Sequence, residues 1–346
     1  MVAITSFFRY NYGTIHLEGL SMKTSIAIIS GLLLAACGQS NYAQDIASAK
    51  PDANALPAFN TYTAAQRAVL APFGMLEFDA SKISAVPLKD GFAVIFGYGG
   101  NVLVSVGDDG VIMVDNQFPE IYEALLDEVR KLGGEKVDYV INTHWHFDHA
   151  EGNRAFGPLG AQIIAHENSA AYMARDHNIN LVVAQYPQQA YPPEARPDRS
   201  YSDTLELSLN GQDIILYNFG PAHTTGDSQV YFRTGNILHM GDVRNFTPSP
   251  FIDVDNGGDV DGVIATVRAM LDIIDEETIV VPGHGDIGNK ARLIEYVEWL
   301  EAVRAQVAAL KAQGKTIEEI QTAYAEGKLE GAIQPMVSDR IYHSID

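Results

Sequence analysis

One heptapeptide constrains this chain more than anything else in it. Thr143-His144-Trp145-His146-Phe147-Asp148-His149 puts three imidazoles and a carboxylate within six residues, directly after the apolar run Val137–Asn142. Such a run reads as a buried strand. Histidine is seldom buried without a partner, and polar side chains crowded at one strand end would each need separate satisfaction. A shared metal ion satisfies them together. On an extended segment His144, His146 and Asp148 alternate to one side and can converge on a metal. His149 joins them only if the chain turns at Asp148, as a loop opening a helix allows.

Three later stretches repeat the pattern of a ligand-type residue beside Gly or Pro where an apolar strand stops. They are Gly220-Pro221-Ala222-His223-Thr224-Thr225-Gly226-Asp227, Met240-Gly241-Asp242 and Pro282-Gly283-His284-Gly285. Singly, each reads equally well as a turn. Together with the first cluster they supply five histidines and two aspartates at strand ends. His239 falls on the strand face of Ile237 and reads as a packed or supporting residue, while His166, His177 and His343 lack convergent partners. Trp145, Phe147, Tyr98 and Tyr191 either wall a pocket or pack the interior.

Strand-like runs at Phe92–Phe96, Val102–Val106 and Val111–Val114 precede a helical pattern over Pro119–Leu132 that stops at Gly133-Gly134. A strand at Ile163–Ala165 and a helix at Glu167–Arg175 follow, then strands at Ile214–Tyr217, Gln229–Phe232, Ile237–Met240 and Thr278–Val281. Helices are expected at Val260–Ile274 and from Lys290 to Gln313. Each half supplies strands and then helices, which predicts an α/β chain of two mixed sheets back to back with helices outside. Residues 176–203, with Tyr186-Pro187, Tyr191-Pro192-Pro193 and Pro197, read as a long irregular loop, either a lid or a plain surface insertion.

Residues 22–37 are a targeting segment by pattern. Met22-Lys23 opens a basic start, Ile26–Ala36 is apolar but short for a bilayer span, and Leu34-Ala35-Ala36-Cys37 resembles the lipobox of bacterial lipoproteins. The expected organisation is an upstream extension at 1–21, a signal peptide at 22–37, a tether and N-terminal segment at 38–75, a catalytic domain at 76–326 and a C-terminal tail at 327–346. Cys37 would carry a lipid anchor to a bacterial membrane, placing the chain in the cell envelope, facing the periplasm or on the outer membrane; an ordinary secretory cleavage nearby is the alternative. As the sole cysteine it leaves none for catalysis or for metal ligation in the globular part. A formal net charge of -21 repels nucleic acid and suits solubility in an extracellular medium, and no protein partner is expected.

The His-X-His-X-Asp-His pattern, with His223, Asp242 and His284, resembles the metallo-β-lactamase superfamily over roughly Phe92 to Trp299. That resemblance implies an αβ/βα four-layer sandwich and two zinc ions per chain. It implies His144, His146 and His223 on the first metal, Asp148, His149 and His284 on the second, and Asp242 bridging. Asp115 matches an aspartate that steadies the metal loop, although the family's Asp-Thr-Gly is Asp115-Asn116-Gln117 here. The implied chemistry is hydrolysis of a small-molecule amide or ester, with Asp148 orienting the nucleophile and Arg244 or Asn245 holding a substrate carboxylate or oxyanion. Broad-spectrum lactamases place cysteine where Asp242 stands, whereas lactonases and glyoxalase II share the aspartate. A glyoxalase II-type thioesterase and a non-hydrolytic metalloprotein are the alternatives. His146 in place of the glutamate of flavodiiron oxidoreductases disfavours redox chemistry.

Overall fold

The computed structural model describes residues 62–71, 76–89, 91–245, 250–329 and 333–345. Met22, Cys37 and most of the expected tether lie outside them. The chain first lays down β1 (Ser84–Lys89), β2 (Phe92–Phe96), β3 (Val102–Gly107), β4 (Gly110–Val114), β5 (Tyr139–Ile141) and β6 (Gln162–His166). A separate hairpin of β7 (His177–Asn180) and β8 (Gln185–Gln188) follows, and β9 (Arg199–Tyr201) then completes a seven-stranded sheet in the order β1-β2-β3-β4-β5-β6-β9. The second sheet has six strands in sequence order: β10 (Thr204–Leu209), β11 (Gln212–Tyr217), β12 (Gln229–Phe232), β13 (Ile237–His239), β14 (Ile279–Val281) and β15 (Gly288–Asn289).

Period-two alternation of apolar residues explains how the sheets face each other. Leu103, Ile112, Val114, Ile141 and Ile164 of the first sheet share one core layer with Ile214, Leu216, Val230, Phe232, Ile237 and Val281 of the second. Their neighbours Val102, Val104, Val111, Met113, Val140 and Ile163 point the other way, into a core with the helices of the N-terminal half. Tyr231, Leu238 and Val280 do the same beneath the helices of the C-terminal half. Both faces of each sheet are thus covered, so central strands read as nearly continuous apolar runs. Each aliphatic side chain buried this way contributes about 1.5–3 kcal/mol. The result is the expected α/β sandwich of two mixed sheets with helices on the outer faces.

The helices are α1 (Ala64–Leu70), α2 (Tyr122–Lys131), the one-turn α3 (Phe147–Ala150) and α4 (Asn153–Phe156), then α5 (Glu167–Met173), α6 (Val260–Ile273), α7 (Lys290–Ala312), α8 (Ile317–Ala325) and α9 (Pro335–Ser344). In α7, Leu293, Val297, Leu300 and Val307 recur at helical spacing and are buried. Residues 335–344, in the stretch assigned to a tail, form α9, which buries Val337 and Ile341 beside Ile345.

Residues 176–203 are not an irregular loop. They hold the β7–β8 hairpin, a 3₁₀ turn at Pro193–Ala195 and the edge strand β9. Prolines were the misleading signal: Pro187 pairs with Asn178 in a two-stranded ribbon, where an edge strand tolerates a missing N–H. Ile179, Tyr186 and Tyr191 are fully buried, so the aromatic residues pack the core instead of covering a site. In both large sheets the parallel strands, β4–β5–β6 and β13–β14, run toward one end. The ligand-bearing loops after β4, β5, β13 and β14 all emerge there, as crevices at the carboxyl ends of such strands usually do.

Candidate metal centre

The chain turns where the heptapeptide requires it. His146 is the N-cap of α3, and the single turn Phe147–Ala150 swings Asp148 and His149 back toward His144. Two groups of donor atoms result, with a carboxylate between them. In the first, His223 Nε2 lies 3.2 Å from His144 Nε2 and 3.0 Å from His146 Nδ1. In the second, His284 Nε2 lies 3.1 Å from His149 Nε2 and 3.1 Å from Asp148 Oδ2. Asp242 stands between, with Oδ1 3.2 Å from His149 Nε2 and Oδ2 3.8 Å from His223 Nε2. Donors on zinc-type bonds of ~2.0–2.1 Å at tetrahedral corners would sit about 3.3–3.4 Å apart, so the spacing fits a metal in each group. All seven predicted ligands are brought together.

The outward ring nitrogens explain why the donors are lone pairs. His144 Nδ1 meets Thr143 Oγ1 at 3.0 Å, and that hydroxyl already donates to Asp115 Oδ2. His146 Nε2 meets Asp253 Oδ2 at 2.9 Å, His149 Nδ1 meets Asp115 Oδ2 at 2.7 Å, and His223 Nδ1 meets the Phe251 carbonyl at 2.8 Å. Each partner is an acceptor, so each outward nitrogen carries the proton. Four imidazoles therefore aim unprotonated nitrogens inward. Asp242 Oδ1, buried, has no hydrogen-bond partner. A pocket so rich in inward lone pairs and carboxylate oxygens suits cations, and the residues fit a metal pair.

Electrostatics agrees. Burial, and then the neighbouring imidazoles, holds His144 well below the usual histidine range. Burial likewise lowers His223. Burial pushes Asp242 up, but His284 and His149 outweigh it and keep the carboxyl well below its ordinary value. At His149 the carboxylates of Asp242, Asp148 and Asp115 outweigh burial and raise the ring. The direction of the His149 shift marks an excess of negative charge around that ring.

Asp115 does steady the metal loop. Its carboxylate accepts from Thr143 N and Thr143 Oγ1, both at 2.7 Å, besides meeting His149. The substituted neighbours have work of their own. Asn116 N donates to the His149 carbonyl at 2.8 Å, and the Gln117 amide donates to Gly100 O at 2.7 Å while accepting from Tyr98 N at 3.0 Å. Asp115 and Gln117 both adopt positive φ, at 59° and 51°, a strained conformation that surrounding bonds must hold. Gln117 thereby fixes the loop 97–101, whose Gly100 lies so close to His149 that a Cβ would sit 2.1 Å from the ring. Asn101 carries the loop across to the other sheet, donating to the Gly283, Pro282 and Gly285 carbonyls around His284.

Arg244 and Asn245 take up the following positions. Arg244 donates to the Asn245 carbonyl and lies 5.4 Å over the Tyr296 ring of α7. The Asn245 amide donates to Asp242 Oδ2 at 3.0 Å and so holds the central carboxylate. His239 packs between the sheets, bonding Asn101 O at 2.9 Å. His166 caps α5, His177 stacks edge-on against Trp145, and His343 pairs with Asp339 on α9. Trp145, Phe147, Tyr98 and Tyr191 are all buried packing residues. Sequence reasoning missed Asp253, Asn101 and Thr143. Only Thr143, inside the motif, carried a local signal; the other two are recruited by folding alone.

A model of the metallo-beta-lactamase superfamily matches residues 95–284. Among characterised proteins, the chain is 31% identical over 142 residues to the 2,4-dinitroanisole O-demethylase subunit alpha of a Nocardioides species, covering 39% of this chain and 38% of that one. It is 26% identical over 163 residues to the metallo-beta-lactamase type 2 of Bacteroides fragilis, covering 47% of this chain and 59% of that one. The alignments thus span less than two thirds of either relative. Among solved structures, a metallo-beta-lactamase from Pontibacter korlensis superposes with a TM-score of 0.54 at 19% identity, over 63% of this chain and 99% of that one, a likeness of fold. The match over more than half the chain, with every ligand position of the motif occupied, shows that this protein belongs to the metallo-β-lactamase superfamily.

Proposed function

We propose that the chain is an exported dinuclear zinc hydrolase that cleaves a cyclic amide or ester bond, in the manner of a β-lactamase or a lactonase. The observation that carries this reading is the convergence of four imidazoles on a central carboxylate, each ring fixed from behind. Imidazole and carboxylate donors suit zinc. A bound pair of such ions supplies Lewis acidity and a water that ionises near neutral pH. His144, His146 and His223 would hold one ion and Asp148, His149 and His284 the other, with Asp242 standing between the two groups.

The chain's own residues supply the rest. The Asp148 and His284 side chains are the most exposed of the set, each at 11%, so the cleft opens over that edge. Asp148 would orient the attacking water there. Asn245 keeps Asp242 turned between the two groups. The likeness to the Bacteroides fragilis lactamase supports a cyclic amide, and Asp242, in place of the lactamase cysteine, supports an ester. Export and lipid anchoring at Cys37 rest on the sequence pattern of residues 22–37.

Chelator-treated protein should lose turnover of nitrocefin or of a lactone panel and regain it with zinc, whereas His146→Ala should not regain it. Turnover undiminished by complete metal removal, or confined to thioesters, defeats the proposal.

A further inference from the structure

We infer that the C-terminal helix α9 is a positioning element for one half of the metal centre, and that Arg340 sets metal affinity at His144, His146 and His223 without setting it at the other group. The inference rests on the metal-centre reading above. Residues 250–259 form a strap behind the first group. Asp253 Oδ2 meets His146 Nε2 at 2.9 Å, and the Phe251 carbonyl meets His223 Nδ1 at 2.8 Å. The strap backbone also binds the His223 loop, with Asp253 N donating to His223 O at 2.9 Å and Asp259 N to Ala222 O at 2.7 Å. Asn256 closes on both oxygens of Asp253, at 3.0 and 2.8 Å.

The strap is held from outside by α9. Arg340, only 4% exposed, donates to Asp255 Oδ2 at 2.6 Å across 85 positions of sequence, and Ser344 Oγ accepts from Val260 N at 2.7 Å where the strap enters α6. Helix α9 is itself fixed by buried Val337 and Ile341 and by Lys311, which donates to the Tyr342 and Ile345 carbonyls. Movement of the α6 N-terminus cannot be absorbed locally, because a Cβ on Gly262 would lie 1.7 Å from Pro221 O in the His223 loop. Asp148 and His149, by contrast, take their support from Gly100, Asp115 and Asn116. A buried guanidinium paired with a half-exposed carboxylate thus ends a chain of contacts that reaches only one half of the centre.

The test is zinc binding to the full chain, read by competition titration and by anomalous diffraction that resolves the two positions. Arg340→Met should weaken zinc about tenfold at His144, His146 and His223, the low end for residues that orient metal ligands, and leave the other position within about twofold. Asp255→Asn should reproduce the loss, and the double variant should add nothing further. Arg340→Lys should recover part of it. Equal loss at both positions, or no loss at the first, overturns the inference; because Asp255 is exposed, its variant keeps the test alive if Arg340→Met fails to fold. Wild-type protein that binds no zinc overturns the metal-centre reading beneath it, a result distinct from either.

Discussion

The two halves of the metal centre are held by different parts of the molecule. The Asp148, His149 and His284 half is gripped from inside the sandwich. Asp115, Asn116 and Gln117 are fully buried at the end of β4, and Asn101 ties the same loop system to the carbonyls flanking His284. In the other half His144 leans on Thr143 and Asp115, but His146 and His223 are gripped by the strap 250–259, whose outer face bonds the β7–β8 hairpin through Asn178, α5 through Tyr172 and α9 through Arg340. One half is a property of the core. The other is suspended in part, through His146 and His223, from elements near the surface, so substitutions far from the ligands can tune it. A centre built this way can change the affinity of one metal position while the second stays fixed.

The largest effect that separates the halves should come from Gly100→Ala. The added Cβ would lie 2.1 Å from His149 Cε1 and 2.4 Å from Nδ1, and the ring is fully buried with Asp115 behind it. Overpacking of this kind costs about 1–3 kcal/mol or more, and the ring must leave its place. A misplacement near 1 Å costs on the order of a hundredfold in turnover. Metal analysis should show stoichiometry falling toward one, with the surviving ion on His144, His146 and His223. An ion retained instead on Asp148 and His284 would break the contrast between the halves.

The mirror experiment is Asp253→Asn, which keeps the side chain's size but replaces one carboxylate oxygen facing His146 Nε2 with an amide. The ring then trades a charged acceptor for a neutral amide, and zinc affinity at the first half should fall about 10–100-fold. The second half should hold its ion, because its supports are Asp115 and the loop 97–101. Competition titration resolves two steps if this is right. A single step weakened throughout would mean that Asp242 couples the ions so tightly that separate supports do not matter.

How much of this was legible before folding follows from where the signals lie. The ligands are legible because strand-end histidines beside glycine have no cheap structural explanation, and the central strands because two-sided burial makes them continuous apolar runs. The supports are not. Asp253 stands 107 positions from His146, and Asn101 stands 138 from His239, so neither has a neighbour in sequence that gives away its role. The hairpin was hidden by its own Pro187, since proline in a run argues against a strand unless that strand is known to be an edge. Helix α8 was readable, for Thr316 and Glu319 form a capping box that its sequence displays openly. Arg244 differs again: proximity to Asp242 in sequence suggested a role at the site, and nothing in sequence tells that its guanidinium lies over Tyr296 of α7.

The smallest expected effect lies behind the second half. Glu151 ends α3, the turn that carries Asp148 and His149, and Tyr62 beside α1 donates to both Glu151, at 3.3 Å, and Glu120, at 3.4 Å. Tyr186 also donates to Glu151, Arg154 is the nearby cation, and Glu120 Oε1 has no hydrogen-bond partner. Burial, and then Glu151, pushes the Glu120 carboxyl from 4.5 up to about 8. The sign follows from linkage. Between those values the unfolded chain releases this proton and the folded one retains it, so stability falls as pH rises and the penalty is complete above about pH 8. Glu120→Gln removes the penalty. Its advantage over wild type should be near zero at pH 4.5, grow to at least about 1 kcal/mol by pH 8.5, a few degrees in Tm, and then level off. Zinc affinity at His144, His146 and His223 should not change, because none of these groups touches the strap. A Tm difference that stays constant with pH would mean that Glu120 is already ionised in the fold. The pocket behind α3 would then hold two carboxylates that Arg154 and the tyrosine hydroxyls suffice to stabilise.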